Sequence, residues 1–182
     1  MTARTRCAWA SAHQLLTLYH DEEYGFPLNQ DNDLFERLVL EINQAGLSWL
    51  TILKKREGFR NAFQGFDVDL VAAYEDSDRE RLLQDAAVIR NRLKINAAIH
   101  NAGVIQQLRG ENGTFSSWLD DQSCGSLDEW VDLFRNTFRF MGPEIVNEFL
   151  MSTGYLPIIH DTGCWLDRKH PREGVSDPGR SP

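Results

Sequence analysis

The chain has 182 residues, 42% of them hydrophobic and 25% charged, enough for one domain with a proper core. Its formal charge of −8, taken alone, counts against a nucleic-acid partner unless a local basic patch faces it, and no apolar run approaches the ~20 residues that cross a bilayer. Three widely spaced cysteines, Cys7, Cys124 and Cys164, argue against a disulfide framework and leave room for metal ligation.

The start, "MTARTRCAWASAHQLL", carries two arginines, but Ser11, His13 and Gln14 interrupt the apolar stretch behind them. No secretory leader is expected, and the cytoplasm or nucleoid is. From there the pattern is helical nearly throughout. Asp33 with Glu36 reads as a capping box opening a helix that carries Leu34, Leu38 and Ile42. A second helix is expected from about Leu47, holding Trp49, Ile52 and Leu53 and stopping near Gly58. Asp67 is placed to cap a third, and Ser77 with Glu80 a fourth. "NRLKINAAIHNAGVIQQL" predicts a longer helix, closed by the turn-rich "RGENGT". "SSWLDD", "SLDEWVDLFRNTF" and "GPEIVNEFLMST" complete the set, with Pro143 acceptable in a first turn. The only short β-like run, "YLPII", is broken by Pro157. The expected fold is all-α: a single helical domain over residues 1–164, with 165–182 a tail disordered beyond its first residues.

Two constellations could carry chemistry. Cys7 and His20 near one end, with His160 and Cys164 near the other, make a Cys₂His₂ set suited to tetrahedral Zn²⁺. Such an ion would staple the ends of the chain and leave no open position for water. The spacing equally allows two buried free thiols and two hydrogen-bonded imidazoles, and His13, His170 and Cys124 are competing ligands. In "LEINQAGLSW" (40–49), Glu41 falls at the edge of the apolar stripe. It is either an acid reaching water or a pocket acceptor, since an ionised acid in such a place needs a partner. Trp9, Tyr19, Tyr24 and Trp49 are either core aromatics or the walls of a cage for a flat, cationic ring. Two basic clusters, Lys54–Arg56 and Arg90, Arg92 and Lys94, interrupt the acidic chain.

Taken together, "CAW" (7–9), "YHDEEYG" (19–25), "LEINQAGLSWLTILKKRE" (40–57), "DAAVIRNRLKI" (85–95), "FRFMGP" (138–143) and "GYLPIIHDTGC" (154–164) resemble the DNA-3-methyladenine glycosylase I family. The resemblance implies a helix-hairpin-helix DNA glycosylase fold with a zinc site joining the terminal segments, ligated by Cys7, His20, His160 and Cys164. It implies a monomeric, monofunctional base-excision repair enzyme acting on double-stranded DNA with alkylated bases. The damaged base would be flipped from the duplex and 3-methyladenine released by hydrolysis. The alternative is a zinc-stapled DNA- or base-binding module of the same fold without excision. Carried over by position, Glu41 reads the base, a role favoured over catalysis, while Trp9, Tyr19, Trp49 and Tyr24 surround it. The hairpin would fall around "AAVIRNRLK", with Arg90, Arg92 and Lys94 facing phosphates. No catalytic aspartate matches. The family often has tryptophan at Tyr24, glycine at Ala87, and a basic segment before "FRFMGP" where this chain is acidic.

Overall fold

Helix-forming sequence with apolar residues at 3–4 spacing has to bury a stripe, and the computed structural model, which describes residues 4–167, does so with helices alone. No strand occurs among the described residues. A 3-10 turn, Ala8–Ala12, precedes α1 (Gln14–Glu22), α2 (Asp31–Gln44), α3 (Trp49–Ala62), α4 (Val68–Ala72) and α5 (Asp76–Gln84). The long α6 (Arg92–Asn112), α7 (Phe115–Asp120), α8 (Leu127–Thr137) and α9 (Pro143–Ser152) follow. The chain forms two compact units, one from the N-terminal segment through Leu28 together with the chain from Glu148 onward, the other Asn29–Asn147.

The second unit is built around phenylalanines. Phe63 stacks on Phe66 with centroids 5.7 Å apart and on Phe59 at 6.1 Å, and Phe35 meets Phe66 edge-on. Phe115, Trp118, Phe134 and Phe138 form a second aromatic group. Each such ring contributes roughly 1.5–3 kcal/mol through burial. Two helix pairs in this part of the chain are joined by tight turns: α5 to α6 through 85–91, and α8 to α9 through 138–142.

The caps differ from expectation in instructive ways. Helix α2 starts at Asp31 with Gln30 before it, and no capping box forms at Asp33. Glu36 is instead buried and held by Arg56 and Arg60, an ion-pair network that outcompetes a local cap. Helix α5 takes its capping box from Glu75 and Asp78, two residues before the Ser77–Glu80 pair suggested. Asp67 caps α4 as expected, and Asn91 caps α6 through its side chain.

Gly58 does not end α3. A Cβ there would lie 2.7 Å from Ala87 Cβ and 2.9 Å from Ala87 O, so the glycine lets the 85–91 turn sit against the helix. Lys55 Nζ fastens the same turn, donating to Ala86 O at 2.7 Å.

The first unit is assembled from both ends of the chain. Helix α1, not singled out from the sequence, is capped by His13, whose Nδ1 accepts from Leu15 N at 3.1 Å. Gly25 adopts φ +85 and donates to Ser152 O at 3.0 Å; a side chain there would collide with Ile158. Trp165 N donates to Thr5 O at 2.9 Å, and Leu166 is buried with Cys7 and Cys164. The expected tail is therefore anchored at its start, and the disorder expected of 168–182 concerns residues outside those described.

Candidate functional site

The four metal-ligand candidates meet in the first unit. Cys7 precedes the 3-10 turn, His20 sits in the last turn of α1, and His160 and Cys164 flank a turn, so one ligand atom from each lies within 4.8 Å of every other. Cys7 Sγ is 3.4 Å from His160 Nδ1, and Cys164 Sγ is 3.4 Å from His20 Nε2 and 3.8 Å from His160 Nδ1. A four-coordinate zinc ion with bonds of ~2.0–2.3 Å requires neighbouring ligand atoms roughly 3.3–3.8 Å apart. Three of the distances between these ligand atoms already match a tetrahedral ion, and all lie within 4.8 Å, so the residues fit such an ion. Burial pushes the Cys7 thiol up, although the Asp161 N–H, 3.3 Å from its sulfur, works the other way. A divalent cation would supply the positive charge that ionises these buried thiols.

The competing ligands are elsewhere. His13 is spent as the α1 cap, Cys124 belongs to the second unit, and His170 lies outside the described residues. What sequence reading missed is Asp21. Its Oδ1 sits 2.9 Å from His20 Nδ1, the outer-shell arrangement that fixes a ligating imidazole through its far nitrogen. Burial raises the Asp21 carboxyl, yet hydrogen bonds from Arg6, His20 and Trp165 hold it down at about 2. Its adjacency to His20 in "YHDEE" was the available signal.

Three of the four aromatic candidates gather beside this centre. Trp9 meets Tyr24 edge-on at 5.6 Å, Tyr19 and Tyr24 are 5.6 Å apart, and Trp9 packs against His20 at 5.3 Å. Tyr19 is buried, Tyr24 partly buried, and Trp9 exposes 39% of its surface, so the cluster is open on one side. Tyr24 also donates to Glu148 Oε2 at 3.3 Å, and burial raises that carboxyl. Glu148 carried no signal in the sequence.

Glu41 and Trp49 belong to the second unit. Periodicity set Glu41 at a stripe edge, but α2 is buried at every position from Leu34 to Asn43, and Glu41 is only 3% exposed. No exposed face exists there for an acid to use. Trp49 opens α3 directly after its cap, Ser48, whose hydroxyl accepts from Thr51 N.

The three basic candidates have different surroundings. Arg90 is exposed, and Arg92 is exposed and pairs with Glu80 at 2.9 Å. Lys94 is 5% exposed, its ammonium donating to Asn43 O at 3.0 Å and Ala45 O at 2.7 Å, where it closes the C-terminal end of α2.

A family model for methyladenine glycosylases matches residues 9–125. The chain belongs to the methyladenine glycosylase family. It is 50% identical over 179 residues to DNA-3-methyladenine glycosylase 1 of Escherichia coli (strain K12), covering 87% of this chain and 95% of that relative. It is 40% identical to the DNA-3-methyladenine glycosylase of Haemophilus influenzae (strain ATCC 51907 / DSM 11121 / KW20 / Rd), covering 88% of each chain. Among solved structures, a 3-methyladenine DNA glycosylase I superposes with a TM-score of 0.80 at 36% identity, covering 92% of this chain and 100% of that one. A variant of 3-methyladenine DNA glycosylase I in complex with 3-methyladenine gives 0.79 at 30% identity, covering 91% and 98%. The all-helical architecture of this chain is thus that of the family.

Proposed function

We propose that this chain is a DNA glycosylase that removes 3-methyladenine from alkylated DNA by hydrolysing its N-glycosidic bond, with no lyase step. The observation that carries the reading is the 50% identity spanning 87% of the chain to an enzyme of that name. Methylation at N3 leaves adenine cationic within DNA, so the glycosidic bond is already weakened and the leaving group needs no proton. Rate is then gained by recognising the extruded base and stabilising the developing sugar cation while water attacks.

Glu41 is the acceptor for the polar edge of the base: a carboxylate kept 97% out of solvent on an apolar helix is suited to discriminate by hydrogen bonding. Trp49, Trp9, Tyr19 and Tyr24 supply aromatic faces for a flat cation. The turn between α5 and α6 is assigned to the DNA backbone, with Arg90 and Arg92 toward phosphates. Lys94 enters that role through the backbone it fastens. Cys7, His20, His160 and Cys164 hold a structural Zn²⁺, which supplies folding energy and takes no part in the reaction. The enzyme is a monomer whose helical domain runs through Leu166, and it works on double-stranded DNA in the nucleoid-bearing cytoplasm.

The test is release of free base from methylated duplex. Wild type is expected to liberate 3-methyladenine, and Glu41→Gln to reduce the rate about 10²-fold or more, with zinc content and helicity unchanged. A wild type that releases no methylated base at any salt concentration overturns the reading. DNA binding without release would identify a binding module of the same fold.

A further inference from the structure

Away from Glu41 and the metal ligands, the second unit holds a cavity of about 600 Å³, within the size range of small-molecule sites. Arg79, Arg92, Arg139 and His100 line it together with Asn96 and Gln107, and the one carboxylate on its wall is Asp76. Three arginines against one acid is a local reversal of sign in a chain whose formal charge is −8.

These arginines are weakly committed. Arg79 pairs with Asp76, whose side chain is 99% exposed, and Arg92 with Glu80, 57% exposed; such pairs are worth little and yield readily to a better anion. The Arg139 guanidinium has no ion-pair partner among the described residues. Its backbone, by contrast, is fixed. The fully buried Asn101 amide donates to Arg139 O at 3.1 Å and accepts from Arg139 N at 2.8 Å, tying the 138–142 turn to α6. Burial, and then the charge of Arg139, lower the His100 imidazole from its ordinary value, so the positive charge at neutral pH is that of the arginines.

We infer that this cavity is an oxyanion site for a phosphate-bearing ligand, with Arg139 its preset anchor and Arg79 and Arg92 its flanking cations. The phosphate comes either from a DNA strand or from a free nucleotide, and two arms separate these sources. In the first, inorganic phosphate and deoxyadenosine monophosphate are titrated into the full chain while the arginine Nε–Hε and His100 resonances are followed by NMR. A free-nucleotide site shows saturable shifts that weaken at least tenfold in Arg139→Gln. In the second, affinity for undamaged duplex is measured against salt. A strand-phosphate site shows a log–log slope reduced by about one in Arg139→Gln. Arg139→Lys, which keeps the charge, is expected to recover most of either effect, and an unaltered circular dichroism melt excludes misfolding. The inference is overturned if neither ligand shifts the resonances and the salt slope is unchanged, or if phosphate binds wild type and Arg139→Gln alike. Binding to undamaged DNA is read without base release, so this result stands apart from the excision assay.

Discussion

The two units of this chain are held together by different physics. The second is continuous in sequence and rests on stacked phenylalanines and helices buried on several faces, with α2 hidden from Leu34 to Asn43. The first takes residues from both ends of the chain, has a small apolar group around Cys7, Cys164 and Leu166, and concentrates its polar groups in one network, Arg6–Asp21–His20 with Trp165. A unit gathered from both ends of the chain would gain from a staple between them, and four ligand atoms within 4.8 Å of one another provide a place for one. The lesson is that the unit continuous in sequence is held by its core, while the unit built from the two ends also brings together a set of side chains that could hold a metal.

The largest effect expected is therefore confined to the first unit. Structural zinc carries an apparent binding energy of about 10–16 kcal/mol in small metal-dependent folds. Cys164→Ser should cut bound zinc below half an equivalent and abolish hydrogen-exchange protection in α1 and around Tyr155, while amides of α2 and α6 stay protected. If wild type purifies with less than half an equivalent of zinc, or Cys164→Ser keeps a full one, the contrast between the units is lost.

The second unit is broken by overpacking. Gly58→Ala gains about 1 kcal/mol of helix propensity, but its new methyl must displace Ala87, and overpacking of this kind costs about 1–3 kcal/mol. A net loss on the order of 1 kcal/mol in urea melts is expected, partly restored in Gly58→Ala/Ala87→Gly. Restoration stays partial because Ala87 O, at 2.9 Å, remains in the way. Unchanged or raised stability in the single variant would show that the turn gives freely.

The smallest effect depends on pH. Burial raises the Glu148 carboxyl above its unfolded value, so its contribution is fully present below the unfolded pKa and is lost as pH rises through the folded one. At neutral pH wild type bears the cost of ionising it. Glu148→Gln should melt about 1–3 °C higher than wild type at pH 7, with the difference gone near pH 4. A constant difference across that range would assign it to packing instead.

Most of the helices, the clustering of Cys7, His20, His160 and Cys164, and the family were legible because each rests on local spacing or on quoted runs of residues. His160 and Cys164, four apart, can reach one ion from a single turn, and "QAGLSW" names its own segment. Partnerships across long separations were not legible. Lys94 looks like one more base in "RNRLK", yet its ammonium is taken by carbonyls about fifty positions earlier, at Asn43 and Ala45. Gly58 looks like a helix stop because the turn that needs its missing side chain lies at Ala87. Glu36 resembles a capping residue until Arg56 and Arg60 are seen on either side of it. In each case tertiary contact overrode a local preference that was real but small.

The discontinuity of the first unit sets an order of events during synthesis. A ribosome adds roughly 5–20 residues per second, and domains tend to form as they emerge. The Asn29–Asn147 unit can assemble once its own residues are free. Cys7 and His20 leave the ribosome well over a hundred positions before their counterparts His160 and Cys164. Throughout that interval two of the four candidate ligands wait without their counterparts, and a metal could be held by all four only after Cys164 has emerged.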